Sequence, residues 1–142
     1  MATYNIANIR AQLKTLLLTV PGVSNVYDYM NPTPAGFPCI VFDIANETNE
    51  MLDDSTNKHV IAFSIYILAE IAVAGEQNAK NLLDVVQASA ITILEKKSND
   101  TLSGTVDWVM PPDGGRKHSP TPNGAAFMKD IQFKVVCASS IL

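Results

Sequence analysis

Two short segments contain residue types that could bind a metal ion or a phosphate. In the first, Asp53 and Asp54 stand shortly before His59, and carboxylates and imidazoles are common metal ligands. Adjacent residues of an extended chain point in opposite directions, however, and no further His or Cys lies nearby in the sequence to complete a tetrahedral set. We therefore expect no metal site and no cofactor.

The second segment, residues 113–117 (DGGRK), combines two glycines with Arg116 and Lys117. Glycines beside cations can hold a phosphate through backbone N–H groups. The spacing differs from that of the phosphate-binding pattern G-x-x-x-x-G-K-[ST], and the segment does not begin a helix. We favour a solvated turn, and a small anion-binding protein or enzyme that uses this turn stays open as an alternative.

Nucleophilic catalysis would need a Ser or Cys on a sharp turn, with a His and an acid within reach. The sequence has no G-x-S-x-G pattern. Cys39 and Cys137 stand in apolar strand patterns without C-x-x-C spacing, so we expect buried, reduced thiols and no disulfide. We expect no catalytic residue and, therefore, a protein that is not an enzyme.

Apolar residues that recur at spacings of three and four predict two helices. The first covers residues 5–19 and ends at a Pro-Gly pair. The second covers residues 75–97 and has the strongest helical pattern in the sequence: Ala79, Leu82, Leu83, Val86, Ala90, Ile93 and Leu94. Val85 and Ile91 lie off this stripe. They are either scattered apolar residues on the surface or part of a contact with another subunit.

Alternating apolar residues predict strands in five segments: 23–30, 39–45, 59–68, 105–110 and 126–139. The third strand is apolar on both faces, so we expect it to be covered on both. In the last strand Lys129 interrupts the inward face, and we expect the strand to leave the core there. The element order predicts one α+β domain, residues 1–142. It has an antiparallel or mixed sheet of about five strands, with both helices packed on one face.

Two polar segments interrupt this pattern, and we expect both to project as loops. Residues 46–58 (NETNEMLDDSTNK) are acidic, whereas residues 111–125 (PPDGGRKHSPTPNGA) are weakly basic and stiffened by proline. An acidic arm and a basic arm on one domain suit head-to-tail contact between copies. The charged residues of the two arms are the candidate assembly contacts: Glu47, Glu50, Asp53, Asp54, Arg116 and Lys117.

The overall composition favours an assembling protein over one that binds nucleic acid or membranes. Charged residues make up 17% of the chain, compared with roughly 25% in typical soluble domains. The net charge is −4, and no basic cluster exceeds two residues, which disfavours a broad nucleic-acid-binding face. No apolar run approaches the ~20 residues that span a bilayer, and the N-terminus lacks the order of a signal peptide. We expect a cytosolic protein.

The order of the segments is as informative as their individual patterns. A helix ending in PGV is followed by a Pro-rich turn into GFPCIVFDI, a polar hairpin arm and the apolar strand HVIAFSIYIL. The helix NLLDVVQASAITIL, a short strand with Trp and the closing strand FMKDIQFKVVCAS complete the order. Over nearly the whole chain, this pattern resembles the small tail-terminator and neck (head-tail joining) proteins of long-tailed bacteriophages.

The resemblance implies a structural virion protein. Such a protein assembles in the host cytoplasm as a ring, usually a hexamer, on the head-proximal end of the tail tube. There it ends tube polymerisation and provides the head-joining surface. The implied partners are other copies of the chain, the tail tube protein, and a head-side connector or head-closure protein, with no membrane and no sequence-specific nucleic acid. Another neck component, such as a head-closure or tail-completion protein, is the alternative within the virion.

Overall fold

The computed structural model describes residues 4–29, 36–71, 75–115, 118–121 and 126–140. The helices are α1 (Ile6–Leu17) and α2 (Glu76–Glu95), and a short 3-10 turn follows at Lys97–Asn99. The strands are β1 (Asn25–Tyr27), β2 (Cys39–Asp53), β3 (Thr56–Glu70), β4 (Trp108–Val109), β5 (Asp113–Gly114), β6 (Ser119–Pro120) and β7 (Ala126–Ser140). The predicted α+β class and element order are confirmed. Within these ranges the sheet has seven strands, because β5 and β6 form where we expected a loop.

The sheet is mixed, and β3 lies at its centre. The strand order is β1-β2-β3-β7-β4, and β5 and β6 also pair with β7. Strand β1 runs parallel to β2, whereas the other pairings are antiparallel. Strand β3 pairs with β7 along its whole length, from Thr56 to Glu70, and with β2 as far as Leu68. It is therefore the strand with the most complete backbone hydrogen bonding.

Helix α1 forms where the sequence supplies both a cap and an apolar stripe. The side chain of Asn5 accepts a hydrogen bond of 3.2 Å from the backbone N–H of Asn8, which satisfies one of the free donors at the helix start. Ile9, Leu13 and Leu17 are fully buried on one side of the helix. The helix ends at Leu17, two residues earlier than its pattern predicts.

Helix α2 packs beside α1 on the same face of the sheet. Its buried positions are Ala79, Leu83, Val86, Gln87, Ala90 and Leu94. They join one core with α1 and with the inward side chains of β2, β3 and β7, which are Ile40, Phe42, Ile61, Phe63, Ile65, Ile67, Ile131, Phe133 and Val135. Both helices therefore cover one face, the inner face, as the sequence predicts. Of the two positions off the stripe, Ile91 packs against this core, while Val85 is 64% exposed.

The opposite face of the sheet, which we call the outer face, is only partly buried. Cys39, Val41 and Leu68 are buried there as a small second cluster. Further along β3, Val60 and Ala62 on this face are only half-buried. The expectation that β3 is covered on both faces is therefore wrong for most of its length, because both helices lie on the inner face.

Residues 46–58 form a hairpin instead of a projecting loop. Strand β2 continues to Asp53 and β3 begins at Thr56, so only Asp54 and Ser55 make the turn. The polar sequence is compatible with a strand because this part of β2 is exposed on both faces and needs no apolar side chain. Pairing with β3, which β7 supports on its other side, extends the ladder to the turn.

Strand β7 does not leave the core at Lys129. The strand remains paired with β3 as far as Ala126, and Lys129 lies opposite Ile67. The Lys129 ammonium donates a hydrogen bond of 2.7 Å to the Asp84 carboxylate on α2. A salt bridge therefore accommodates the charge at this inward position.

Candidate assembly surface

The turn of the hairpin at residues 46–58, which we call the acidic hairpin, is closed by Asp53. Its Oδ1 accepts hydrogen bonds from the backbone N–H of Ser55 at 2.9 Å and from the Ser55 hydroxyl at 3.1 Å. These bonds, led by the backbone N–H of Ser55, hold the pKa of Asp53 below its usual value. The predicted contact residue Asp53 thus defines the shape of the tip and keeps its charge.

Glu47, at the base of the acidic hairpin, is engaged within the chain. The Tyr4 hydroxyl donates a hydrogen bond to its carboxylate, and the His59 Nδ1 lies 3.5 Å from the same group. The Tyr4 ring stacks on His59 with 4.1 Å between ring centroids. Burial, followed by the hydrogen bond to Glu47 and its negative charge, raises the pKa of Tyr4 to about 12. Glu47 therefore anchors the N-terminal segment to the hairpin.

The other two acids of the hairpin are more accessible. Glu50 lies across the ladder from Lys58, with 3.5 Å between Glu50 Oε2 and Lys58 Nζ, and its side chain is 63% exposed. Among the described residues, Asp54 has neither a hydrogen bond nor an ion pair. Asp54 is consequently the predicted acidic contact that is most available to a partner.

The tip also carries two apolar side chains that we did not select from the sequence. Met51 is 74% exposed and Leu52 is 52% exposed. Exposed apolar groups rimmed by polar residues are typical of protein–protein contacts. In the sequence, these two residues are an apolar pair within a polar segment. That pair indicates a contact surface only once the segment is known to form a hairpin tip.

The edge of β2 along the acidic hairpin is open. Strand β1 pairs with β2 only at residues 39–41, so the described residues leave the rest of this edge unpaired. Unpaired edges present backbone N–H and C=O groups to other chains. The hairpin therefore offers both a backbone edge and a side-chain tip to a partner.

The second predicted arm, residues 111–125, lies against the domain wherever it is described. Strands β5 and β6 pair with β7, and the Gly115 N–H donates a hydrogen bond of 2.8 Å to the Asp130 carbonyl. From α2, the Gln87 amide donates to the carbonyls of Gly115 and Asp130, at 2.8 Å each. The prediction of a projecting loop is therefore wrong for the described residues of this segment, 111–115 and 118–121. Arg116 and Lys117, the predicted basic contacts, lie outside the described residues.

The two glycines of this arm have a packing role. A Cβ at Gly114 would lie 2.9 Å from Ile91 Cδ1 on α2, and a Cβ at Gly115 would collide with the Asp130 carboxylate. The Gly115 N–H is already bonded to Asp130. A side chain at either position would therefore require a neighbouring side chain to shift, which gives these glycines a role in close packing.

A charged cluster also joins the same arm to α2, through His118. The Asp84 carboxylate lies 2.7 Å from His118 Nε2 and accepts a 2.7 Å hydrogen bond from the Lys129 ammonium. The hydrogen bond from Lys129, followed by that from His118, holds the pKa of Asp84 below its usual value. These contacts join three elements, so we interpret the cluster as a structural fastening.

A groove of about 670 Å³ opens between the end of α1 and the second half of α2. We call it the interhelix groove. Its lining includes the apolar residues Leu16, Ala88 and Ile93, together with the Lys96 side chain. Lys96 is exposed and forms no ion pair with a described residue. The groove therefore combines an apolar patch with hydroxyl and amide side chains and one available cation.

Cys39 and Cys137 are buried and are not joined in a disulfide, as predicted. Cys39 lies opposite Leu68 of β3, and Cys137 lies opposite His59. These two β3 positions are separated by nine residues, which corresponds to about 30 Å along a strand. A disulfide spans less than 7 Å between Cα atoms, so this pair cannot form one.

The residues that we considered as metal ligands and rejected are not brought together. Asp53 closes the hairpin turn, whereas His59 contacts Tyr4 and Glu47. In the part of the chain that is described, no group of three or more His, Cys, Asp or Glu side chains is arranged to hold a metal ion. The described helices include none that is long and apolar enough to cross a membrane.

Neither protein-family models nor curated proteins match this sequence. Inference about function therefore depends on the acidic hairpin, on the interhelix groove and on the order of the segments. The acidic hairpin and the interhelix groove are surfaces that another protein chain could contact.

Proposed function

We propose that this protein is a structural component of a phage neck that forms a ring on the head-proximal end of the tail tube. In this role it ends tube polymerisation and provides the surface to which the head joins. The observation that carries the proposal is the acidic hairpin, which presents Met51 and Leu52 to solvent at its tip. The resemblance in segment order supports the same role.

Ring formation needs a contact between two different surfaces of the same chain. When one copy's projecting element binds another surface on the next copy, the contact is heterologous and closes if the rotation permits. The acidic hairpin suits this role because its β3 strand is held by β7 as far as the turn. A preordered element loses little conformational entropy on docking. We propose a hexamer.

The proposed role is non-catalytic. The described titratable groups that lie closest together serve the fold, since Glu47 binds Tyr4 and Asp84 binds Lys129. The glycine pair at 114 and 115 packs against α2 and Asp130. The alternative to the terminator role is therefore another neck component, such as a head-closure or tail-completion protein. We rank an anion-binding protein or enzyme below both.

Electron microscopy of particles assembled without this protein tests the proposal and separates the neck roles. A terminator that is missing should leave overlong tails that are not joined to heads. Loss of a head-closure protein should instead leave tails of normal length beside unjoined heads. Normal joined particles would contradict every neck role.

The enzyme or anion-binding alternative has its own test. Inorganic phosphate should raise the melting temperature of the protein in a saturable way, and Arg116→Ala or Lys117→Ala should abolish that effect. The neck proposal predicts no saturable effect of phosphate. It predicts instead that these substitutions, at two candidate assembly contacts, weaken self-association of the protein.

A further inference from the structure

The tip of the acidic hairpin and the interhelix groove are complementary in chemical character. At the tip, the apolar side chains of Met51 and Leu52 stand beside the carboxylates of Asp53 and Asp54. The groove lining contains an apolar patch of Leu16, Ala88 and Ile93, several hydroxyl and amide side chains and the ammonium of Lys96, and it includes no carboxylate among the described residues. Apolar groups would therefore meet apolar groups, and opposite charges would face each other.

The tip and groove of one chain lie in different layers of the domain. The tip is the end of the sheet, where Thr56 pairs with Ser140 of β7. The groove opens in the helix layer, and none of its lining residues belongs to the hairpin. Met51 and Leu52 are also 74% and 52% exposed, so the described part of their own chain leaves them accessible. Both surfaces are thus available to a second molecule.

We propose that the hairpin tip of one copy docks into the interhelix groove of a second copy. Met51 and Leu52 occupy the apolar part of the groove, and Asp54 faces Lys96. This inference rests on the proposed ring, since it names the two surfaces that join neighbouring subunits. The contact is heterologous, so each copy in a closed ring uses its tip once and its groove once.

Disulfide trapping between two different variants tests the docking directly. The first variant is Leu52→Cys and the second is Ala88→Cys, at an exposed position of the groove lining. The native thiols, Cys39 and Cys137, are fully buried and give little background. After mixing and mild oxidation, the proposal predicts a covalent dimer that contains one copy of each variant.

Lys134→Cys is the matched control partner for Leu52→Cys. Lys134 is exposed and lies opposite Ala62 on the outer face, away from both helices. The proposal predicts no covalent dimer between these two variants. A dimer with Lys134→Cys but none with Ala88→Cys would overturn the proposal and assign the receiving surface to the outer face.

A charge exchange provides a second test that does not depend on trapping. Asp54→Lys should weaken self-association by about tenfold, because it places a second cation against Lys96. Adding Lys96→Asp in the same chain should restore most of the loss. Failure of the double variant to recover would count against the contact between these two residues.

The outcomes for the inference and for the proposed function can be separated. If the wild-type protein forms rings but Leu52→Cys and Ala88→Cys do not cross-link, the docking site is wrong and the ring stands. If the wild-type protein is a monomer at every concentration, the ring and the docking site are both overturned.

Discussion

The side-chain amide of Gln87 donates a hydrogen bond of 2.8 Å to the backbone carbonyl of Gly115. Gln87 is buried on α2, and Gly115 belongs to the segment that the sequence suggests is a free loop. Through this contact the start of the segment is held against the helix layer. Of the two predicted arms, the acidic hairpin is consequently the one whose described tip presents apolar side chains to solvent, namely Met51 and Leu52.

Removing the Gln87 amide should destabilise the fold. Gln87→Ala leaves the carbonyls of Gly115 and Asp130 without this donor, and the expected loss is about 1–3 kcal/mol in the free energy of unfolding. Urea denaturation measures it. Gln77→Ala is the matched control on the same helix, because Gln77 is exposed and bonds only Asn81 among the described residues. We expect that change to stay within about 0.5 kcal/mol, and equal losses for the two variants would contradict the role of Gln87.

The Asp84 cluster should add stability that depends on pH. The pKa of Asp84 is lower in the folded state than its usual value of 3.8. The contribution of Asp84 to the free energy of unfolding is therefore complete above pH 3.8 and is lost as the pH falls through the folded-state pKa. The difference in unfolding free energy between the wild type and Asp84→Asn should therefore be larger at pH 6 than at pH 2. The effect is small because the carboxylate is half exposed. A difference that grows on acidification would contradict the account.

Tyr4 should affect stability at the opposite end of the pH range. Its pKa rises from 10.0 to about 12 on folding, so its contribution is complete below pH 10 and is lost as the pH rises through 12. Tyr4→Phe keeps the ring on His59 but removes the hydroxyl bonded to Glu47. Denaturation between pH 9 and 12 should show the wild type losing its advantage over this variant. A constant difference would contradict the raised pKa.

The two cysteines should react slowly while the protein is folded. Both are fully buried, and burial raises the pKa of the Cys39 thiol to about 11. The reactive thiolate is therefore scarce as well as inaccessible. A colorimetric thiol reagent at pH 8 should label both cysteines rapidly in denaturant and only slowly without it. Rapid labelling of the native protein would contradict the burial of these strands.

Local periodicity was sufficient to predict the elements that form the core. The stripe that includes Leu83 and Ala90 predicts α2, and the alternation through Phe63 and Phe133 predicts the two central strands. These patterns are readable because a helix or strand with one buried side must repeat its apolar residues at a fixed spacing. The α+β class and the shared helical face follow from the order of those elements.

The two corrected segments depend on contacts that leave no local pattern. Residues 46–53 are exposed on both faces, so no alternation marks them as strand, and pairing with β3 alone makes them one. Strands β5 and β6 are two residues each and form because both pair with β7, and Gln87 also bonds the carbonyl of Gly115 directly after β5. Likewise, the ion pair that keeps Lys129 at an inward position joins residues 45 apart in the sequence.

The mass of the purified protein in solution tests the central claim most directly. Sedimentation or native mass spectrometry across a range of concentrations should show a closed oligomer, with six times the chain mass of 15.3 kDa as the expected species. Leu52→Asp should shift that oligomer towards monomer while the circular dichroism spectrum of the chain stays that of the folded protein, because Leu52 is exposed at the hairpin tip. A wild-type protein that remains monomeric at every concentration would contradict the ring.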